Sequence, residues 1–141
     1  EHVHVCHCRM CQKAVGGPFA VICPVQKSDF TVTRGEISYF ESSALARRGF
    51  CRNCGTPMIF DYPEYPDIGV LVGTLDHPDQ VPPVIQYGIE SRLPWYRHLP
   101  DLQGDQPTYA EDPMGYLPRI AASNRQHPDH DTDDWHPHRS S

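Results

Sequence analysis

Cys6-His7-Cys8-Arg9-Met10-Cys11 packs three thiols into six residues. Further along stands Cys51-Arg52-Asn53-Cys54-Gly55. A thiolate is the softest ligand that a protein carries, and it suits zinc better than other common metals. In Cys-x-x-Cys-Gly the glycine lets the backbone fold back tightly, so two sulfurs can converge on one ion. Five cysteines in two such clusters point first to metal.

Disulfides are the first competitor, because six cysteines in a short chain can form a secreted framework. Against them, the start of the sequence carries no hydrophobic leader, and no apolar run is long enough to span a bilayer. Cys6, Cys8 and Cys11 are also too crowded for three well-shaped bridges. A dithiol redox pair at Cys51 and Cys54 is a third reading. The strand-like sequence around it lacks the helix that usually follows such a motif.

The elements that must position these thiols are short and β-prone. A chain of 141 residues fits one domain, long enough to bury roughly two-thirds of its unfolded surface. A hydrophobic content of 38% with fifteen prolines describes a loop-rich domain, not a helix bundle. A net charge of −6 argues against nucleic acid as the main partner, since phosphate binding needs clustered cations. No membrane partner is expected. Free thiols without an export signal fit a reducing, cytoplasmic setting.

Phe19–Val25, Phe30–Thr33, Ile37–Phe40, Pro57–Tyr62, Ile68–Gly73 and Val84–Ile89 read as strands, and Ala46–Cys51 leads into the second cysteine pair. Gly and Pro stand between them, which predicts a mainly antiparallel β domain. The helical candidates are short: Cys8–Val15, and a stretch around Asp76–Gln80. After about Pro118 the sequence is Asn, Gln, Asp, Pro and His with one Trp. Residues 119–141 are therefore expected to be a disordered tail, apart from a domain over 1–118. Its histidines, His127, His130, His136 and His138, offer at most weak metal binding. Cys23 sits in an apolar strand and reads as a buried structural cysteine.

Three segments together carry a resemblance: Cys6–Phe19, Phe50-Cys-Arg-Asn-Cys-Gly-Thr-Pro57 and Glu90-Ser-Arg-Leu-Pro-Trp95. In this order and spacing they resemble the glutathione-dependent formaldehyde-activating enzyme family, which shares its domain with centromere protein V. The resemblance implies a mainly β, Mss4-like zinc-binding antiparallel fold with short helices and two zinc sites. It implies a catalytic zinc on Cys6, Cys8 and Cys11, and Cys51 and Cys54 as half of a structural zinc. The other half in the family is an upstream Cys-x-Cys, so the N-terminal strands are expected to be missing from this sequence. His2 and His4 are the nearest substitutes. On a strand they would share a side with Cys6 and Cys8, which puts them beside the first cluster.

A zinc on three thiolates keeps its fourth position open, the mark of a catalytic site. The reaction implied is carbon–sulfur lyase chemistry on a glutathione or other small thiol–aldehyde adduct, such as S-hydroxymethylglutathione, with zinc as Lewis acid and template. Three thiolates leave a formal −1 on the zinc site, which Arg9, Lys13 or nearby amides would have to offset. Arg92 could clamp a glutathione carboxylate through its planar fork, or stack near Trp95. Arg47, Arg48 and Arg52 read either as an attractor for an anionic substrate or as a solvated face. Gly16 and Gly17 fit a close substrate approach and a plain turn equally well. The competing function is a non-catalytic zinc module that binds a protein, in which a fourth protein ligand would close the first site.

Overall fold

The computed structural model describes residues 2–104 and 112–136. Seven strands form one mixed sheet: β1 (His4–Cys6), β2 (Ala20–Gln26), β3 (Ile37–Glu41), β4 (Arg47–Cys51), β5 (Pro57–Asp61), β6 (Asp67–Leu71) and β7 (Ile85–Tyr87). Their spatial order is β3-β4-β5-β6-β2-β1-β7. The two α-helices are short, α1 (Arg9–Val15) and α2 (Tyr116–Ala122). The mainly β class expected from the sequence is what the chain forms.

Every pairing is antiparallel except β1 with β7, where His4, Val5 and Cys6 run beside Ile85, Gln86 and Tyr87 in parallel. A parallel pair needs a long crossover. Here the chain leaves β6, makes 3₁₀ turns at Val72–Thr74 and Pro78–Gln80, and returns on the far side of β1. The Asp76–Gln80 helix candidate is thus a single 3₁₀ turn.

Phe30–Thr33 is not a strand. The chain leaves β2 through a 3₁₀ turn at Lys27–Asp29, and the Phe30 amide donates back to the Lys27 carbonyl at 3.3 Å. Alternation alone does not make a strand. It also needs a partner edge, and this segment meets none. The expected boundary at residue 118 falls inside α2. Beyond it, Arg34 pairs with Asp131 and, at 2.8 Å, with Asp133. The Trp135 indole donates to the Arg125 carbonyl at 3.3 Å. His138 lies outside the described residues.

The core is small. Cys11, Ala20, Ile22 and Leu71 form its buried centre, and Cys6, Cys8, Val15 and Phe60 pack against it. The thiols therefore sit on the edge of the apolar interior. A charged core element stands beside it. Asp61 is fully buried at the end of β5. Its Oδ2 accepts from Arg47 Nε at 2.7 Å, and its Oδ1 lies 2.9 Å from Lys27 Nζ. Arg47 is its cross-strand partner on β4 and lies over the Tyr39 ring.

Burial alone would push the Asp61 carboxyl up, but the hydrogen bonds and charges of Lys27 and Arg47 prevail and hold it below the ordinary carboxylate range. A carboxyl depressed in the folded state stabilises above its unfolded pKa, near ~3.9, and loses that contribution as pH falls through the folded value. Asp61→Ala should cost about 2–4 kcal/mol at neutral pH, since it strands two cations. The difference from the unmutated chain should shrink below about pH 4. Urea unfolding of both proteins across that range measures it.

Candidate metal centre

Cys6 ends β1, Cys8 caps α1, and Cys11 lies in the first turn of α1. The strand delivers Cys6 and the helix turn returns Cys11 toward it. The Cys8 sulfur accepts from the Cys11 amide at 3.4 Å, as an N-cap side chain does. The three sulfurs all lie within 4.8 Å of one another. The Cys11 hydrogen bond lowers the Cys6 thiol below its ordinary value against the opposing pull of burial. The same bond and burial push Cys11 up, with Arg48 pulling the other way. Cys6 is thus the more acidic of the two, and Cys11 is placed to donate to it. All six cysteines are free thiols.

Two supports hold the Cys6–Cys11 loop. The His7 amide donates to the Tyr87 carbonyl at 2.9 Å, extending the β1–β7 ladder to the edge of the cluster. Gly88 follows with φ +64, and a Cβ there would lie 2.8 Å from the Cys8 nitrogen. Only glycine allows this approach. Behind the loop, His7 is fully buried. Its Nε2 donates to Gln86 Oε1 at 2.8 Å, its Nδ1 has no hydrogen-bond partner, and its ring meets Tyr96 edge-on at 4.8 Å. The buried Gln12 amide donates to the His7 carbonyl at 2.7 Å and the Ser91 carbonyl at 3.1 Å. The cluster is therefore clamped from a buried polar layer on its far side.

Arg48 is the cation that reaches the thiols. Its two terminal nitrogens each lie 3.5 Å from the Cys11 sulfur. Its guanidinium lies 4.3 Å from the centre of the Phe60 ring, its cross-strand neighbour. Neither of the two cations expected to offset the thiolates takes this place. Arg9 bonds to Gln12, and Lys13 is exposed at the end of α1.

Arg92 does not line the cleft beside the thiols. Its guanidinium lies 5.7 Å from the Tyr96 ring centre, so it stacks, but on Tyr96 and not on Trp95. Arg52 pairs with Glu36 at the surface. His4 lines the cleft with the three cysteines, the side expected of it, and meets the Tyr87 ring at 5.0 Å. Cys23 lies in β2, half-buried and away from the cleft.

Cys51 ends β4, and Cys54 is exposed in the turn before β5. The Gly55 amide donates to the Cys51 carbonyl at 2.8 Å with φ +75, so the glycine closes the turn as its motif requires. Burial raises the Cys54 thiol, but hydrogen bonds from Thr56 and Cys51 outweigh it and lower the net value. Among the described residues no third His, Cys, Asp or Glu joins this pair. Two donors do not make a metal cage.

The fold and first cluster define a β-sheet protein with a three-thiol centre at the mouth of a cleft. That donor set fits a thiophilic ion: three sulfurs together, with a guanidinium against the charge they would accumulate. Comparison with known proteins agrees. Residues 1–91 match the family described as glutathione-dependent formaldehyde-activating enzyme, and the chain belongs to that family. It is also similar to an uncharacterized lyase of Schizosaccharomyces pombe, with 35% identity over 57 residues. That match covers 40% of this chain and 41% of the relative, so the chain spans about two-fifths of the length of that protein.

His7, Gln12 and Gly88 escape the sequence reading, and Arg48, read there as an anion attractor or a solvated face, faces the Cys11 sulfur instead. Gly88, placed inside the expected Val84–Ile89 strand, instead ends β7 at Tyr87, and a glycine within a strand pattern was the one legible signal. Gly88→Ala should push on Cys8 and spread the thiols, weakening metal affinity about ten-fold or more. Chelator competition against bound cobalt(II) measures this, and an unchanged affinity would refute the contact.

Proposed function

We propose that the chain is a zinc-dependent carbon–sulfur lyase acting on a small thiol–aldehyde adduct, of which S-hydroxymethylglutathione is the type. The observation that carries this reading is the open three-thiol cluster in a cleft of about 840 Å³. Among the described residues, no fourth His, Cys, Asp or Glu closes the cluster. That favours catalysis over a sealed protein-binding module. Family membership and the lyase-named relative support the reaction class.

When bound, zinc would supply Lewis acidity and hold a thiol sulfur as thiolate at neutral pH. Cys6, Cys8 and Cys11 would be its ligands. In the breakdown direction, the carbon–sulfur bond of the hemithioacetal breaks and the sulfur leaves with the electron pair. The hydroxyl oxygen forms the new carbonyl and gives up its proton. Synthesis is the reverse. Arg48 has the electrostatic task of offsetting the formal −1 that three thiolates leave on a divalent ion. Ile22 and Phe60 add apolar surface to the cleft beside the thiols, which lowers the local dielectric and so strengthens that interaction. Cys51 and Cys54 shape the β4–β5 turn, and a metal role for them would need donors beyond the described residues.

Cys8→Ser should abolish turnover of formaldehyde–thiol mixtures and remove the bound zinc, because Ser is a poor zinc ligand. Cys23→Ala should retain zinc and activity at a packing cost of about 1 kcal/mol. Arg92→Ala should leave zinc in place. Zinc stoichiometry beside NMR exchange rates of the adduct tests all three. Full activity in the Cys8 variant would end this reading.

A further inference from the structure

The cleft above the thiols has one aromatic wall and a charge pattern that disfavours glutathione. Phe60 and Tyr62 alternate onto one face at the end of β5, with ring centres 4.6 Å apart. Tyr65 continues the row at 5.5 Å from Tyr62. The row starts at Phe60, packed against the thiols, and ends in solvent. Tyr62 and Tyr65 are 43% and 61% exposed and tilted 46° to each other, so both offer aromatic surface to the cleft. The turn that carries them is fixed. Lys27 Nζ donates to the Tyr62 and Pro63 carbonyls at 2.8 and 3.0 Å, and the Tyr65 amide donates to the Tyr62 carbonyl at 3.0 Å.

The charges are set against an anion. Among the described residues lining the cleft, Arg48 is the one Lys or Arg. Its charge already faces the Cys11 sulfur. Three thiolates, a divalent ion and Arg48 sum to zero, so no positive charge is left for a ligand. The adjacent cation, Lys27, is spent on Asp61 and the two carbonyls. The remaining charged lining residues are Glu64 and Asp67. Glutathione carries two carboxylates and one ammonium; Glu64 could receive the ammonium, but neither carboxylate meets a free Lys or Arg among the described lining residues. Arg92, the residue expected to clamp one of them, is turned to Tyr96.

We propose that the cleft selects a thiol or thiol adduct that carries no carboxylate and bears an aromatic group, which lies along Tyr62 and Tyr65 while the sulfur reaches the three-cysteine centre. This rests on the lyase reading for the site and narrows its substrate class. An amine on the ligand is tolerated, because Glu64 and the ring faces both favour a cation.

The test is thiol binding to the full chain loaded with cobalt(II), followed by the sulfur-to-cobalt absorption. Benzyl mercaptan should half-saturate the protein at a concentration about ten-fold or more below that of glutathione. Tyr62→Ala with Tyr65→Ala should bring the two within about three-fold. Tyr62→Phe, which keeps the ring, should preserve the preference. Glutathione binding as tightly as benzyl mercaptan would overturn the proposal, and so would an unchanged ratio in the double alanine variant. Because the readout is binding, the two readings fail separately. A protein that keeps this order but cleaves no adduct loses the lyase reading alone. One that binds glutathione tightly and cleaves its adduct keeps the lyase reading and loses this one.

Discussion

Three thiols on neighbouring residues repel one another once ionised, and only a change of backbone direction brings them to one point. A continued strand would send Cys8 and Cys11 away from each other. A helix through all three would spread them around its axis. The chain solves this by switching from strand to helix between Cys6 and Arg9. The switch leaves backbone groups that neither element satisfies. The Tyr87 carbonyl takes the His7 amide, Gln12 takes the His7 carbonyl, and the Cys8 sulfur takes the Cys11 amide. The parallel β1–β7 pairing and the side chain missing at Gly88 follow from the same need. The loop must be backed closely, or the thiols drift.

The second constraint is charge. Thiolates at the edge of an apolar core are costly unless a cation meets them. That cation comes from β4, which is not a neighbour of β1 in the sheet. Arg48 reaches across because its cross-strand partner Phe60 offers a ring face for its stem and head. A lysine would supply charge there without the planar stacking. The Arg47–Asp61–Lys27 cluster lies on the opposite face of the same strand pair. Adjacent arginines therefore do different work, one in a structural ion pair and one at the thiols.

The local parts of this arrangement were legible in the sequence. The Cys-x-Cys-x-x-Cys spacing, the short helix from Cys8, and most strands depend on near neighbours, and pattern reading found them. Phe30–Thr33 shows the limit. Its alternation was right for a strand, but pairing is a property of the whole sheet. The parallel β1–β7 pair was hidden for the same reason. At the site, Arg48 was one of three arginines with no local feature to single it out. Only the β4–β5 register gives it Phe60 and Cys11. His7 lay in plain view between two cysteines, yet its burial against Tyr96 and Gln86 comes from residues far along the chain. What the sequence concealed is long-range placement, not chemistry.

One strand links the two cysteine clusters. Arg48 and Cys51 both lie on β4, and the β4–β5 register shifts between Gly49 and Phe50, between those two residues. The Cys51–Gly55 turn closes where β4 ends, three residues beyond Arg48. The second pair thus follows the strand that supplies the first cluster with its guanidinium, without sharing a ligand with that cluster among the described residues.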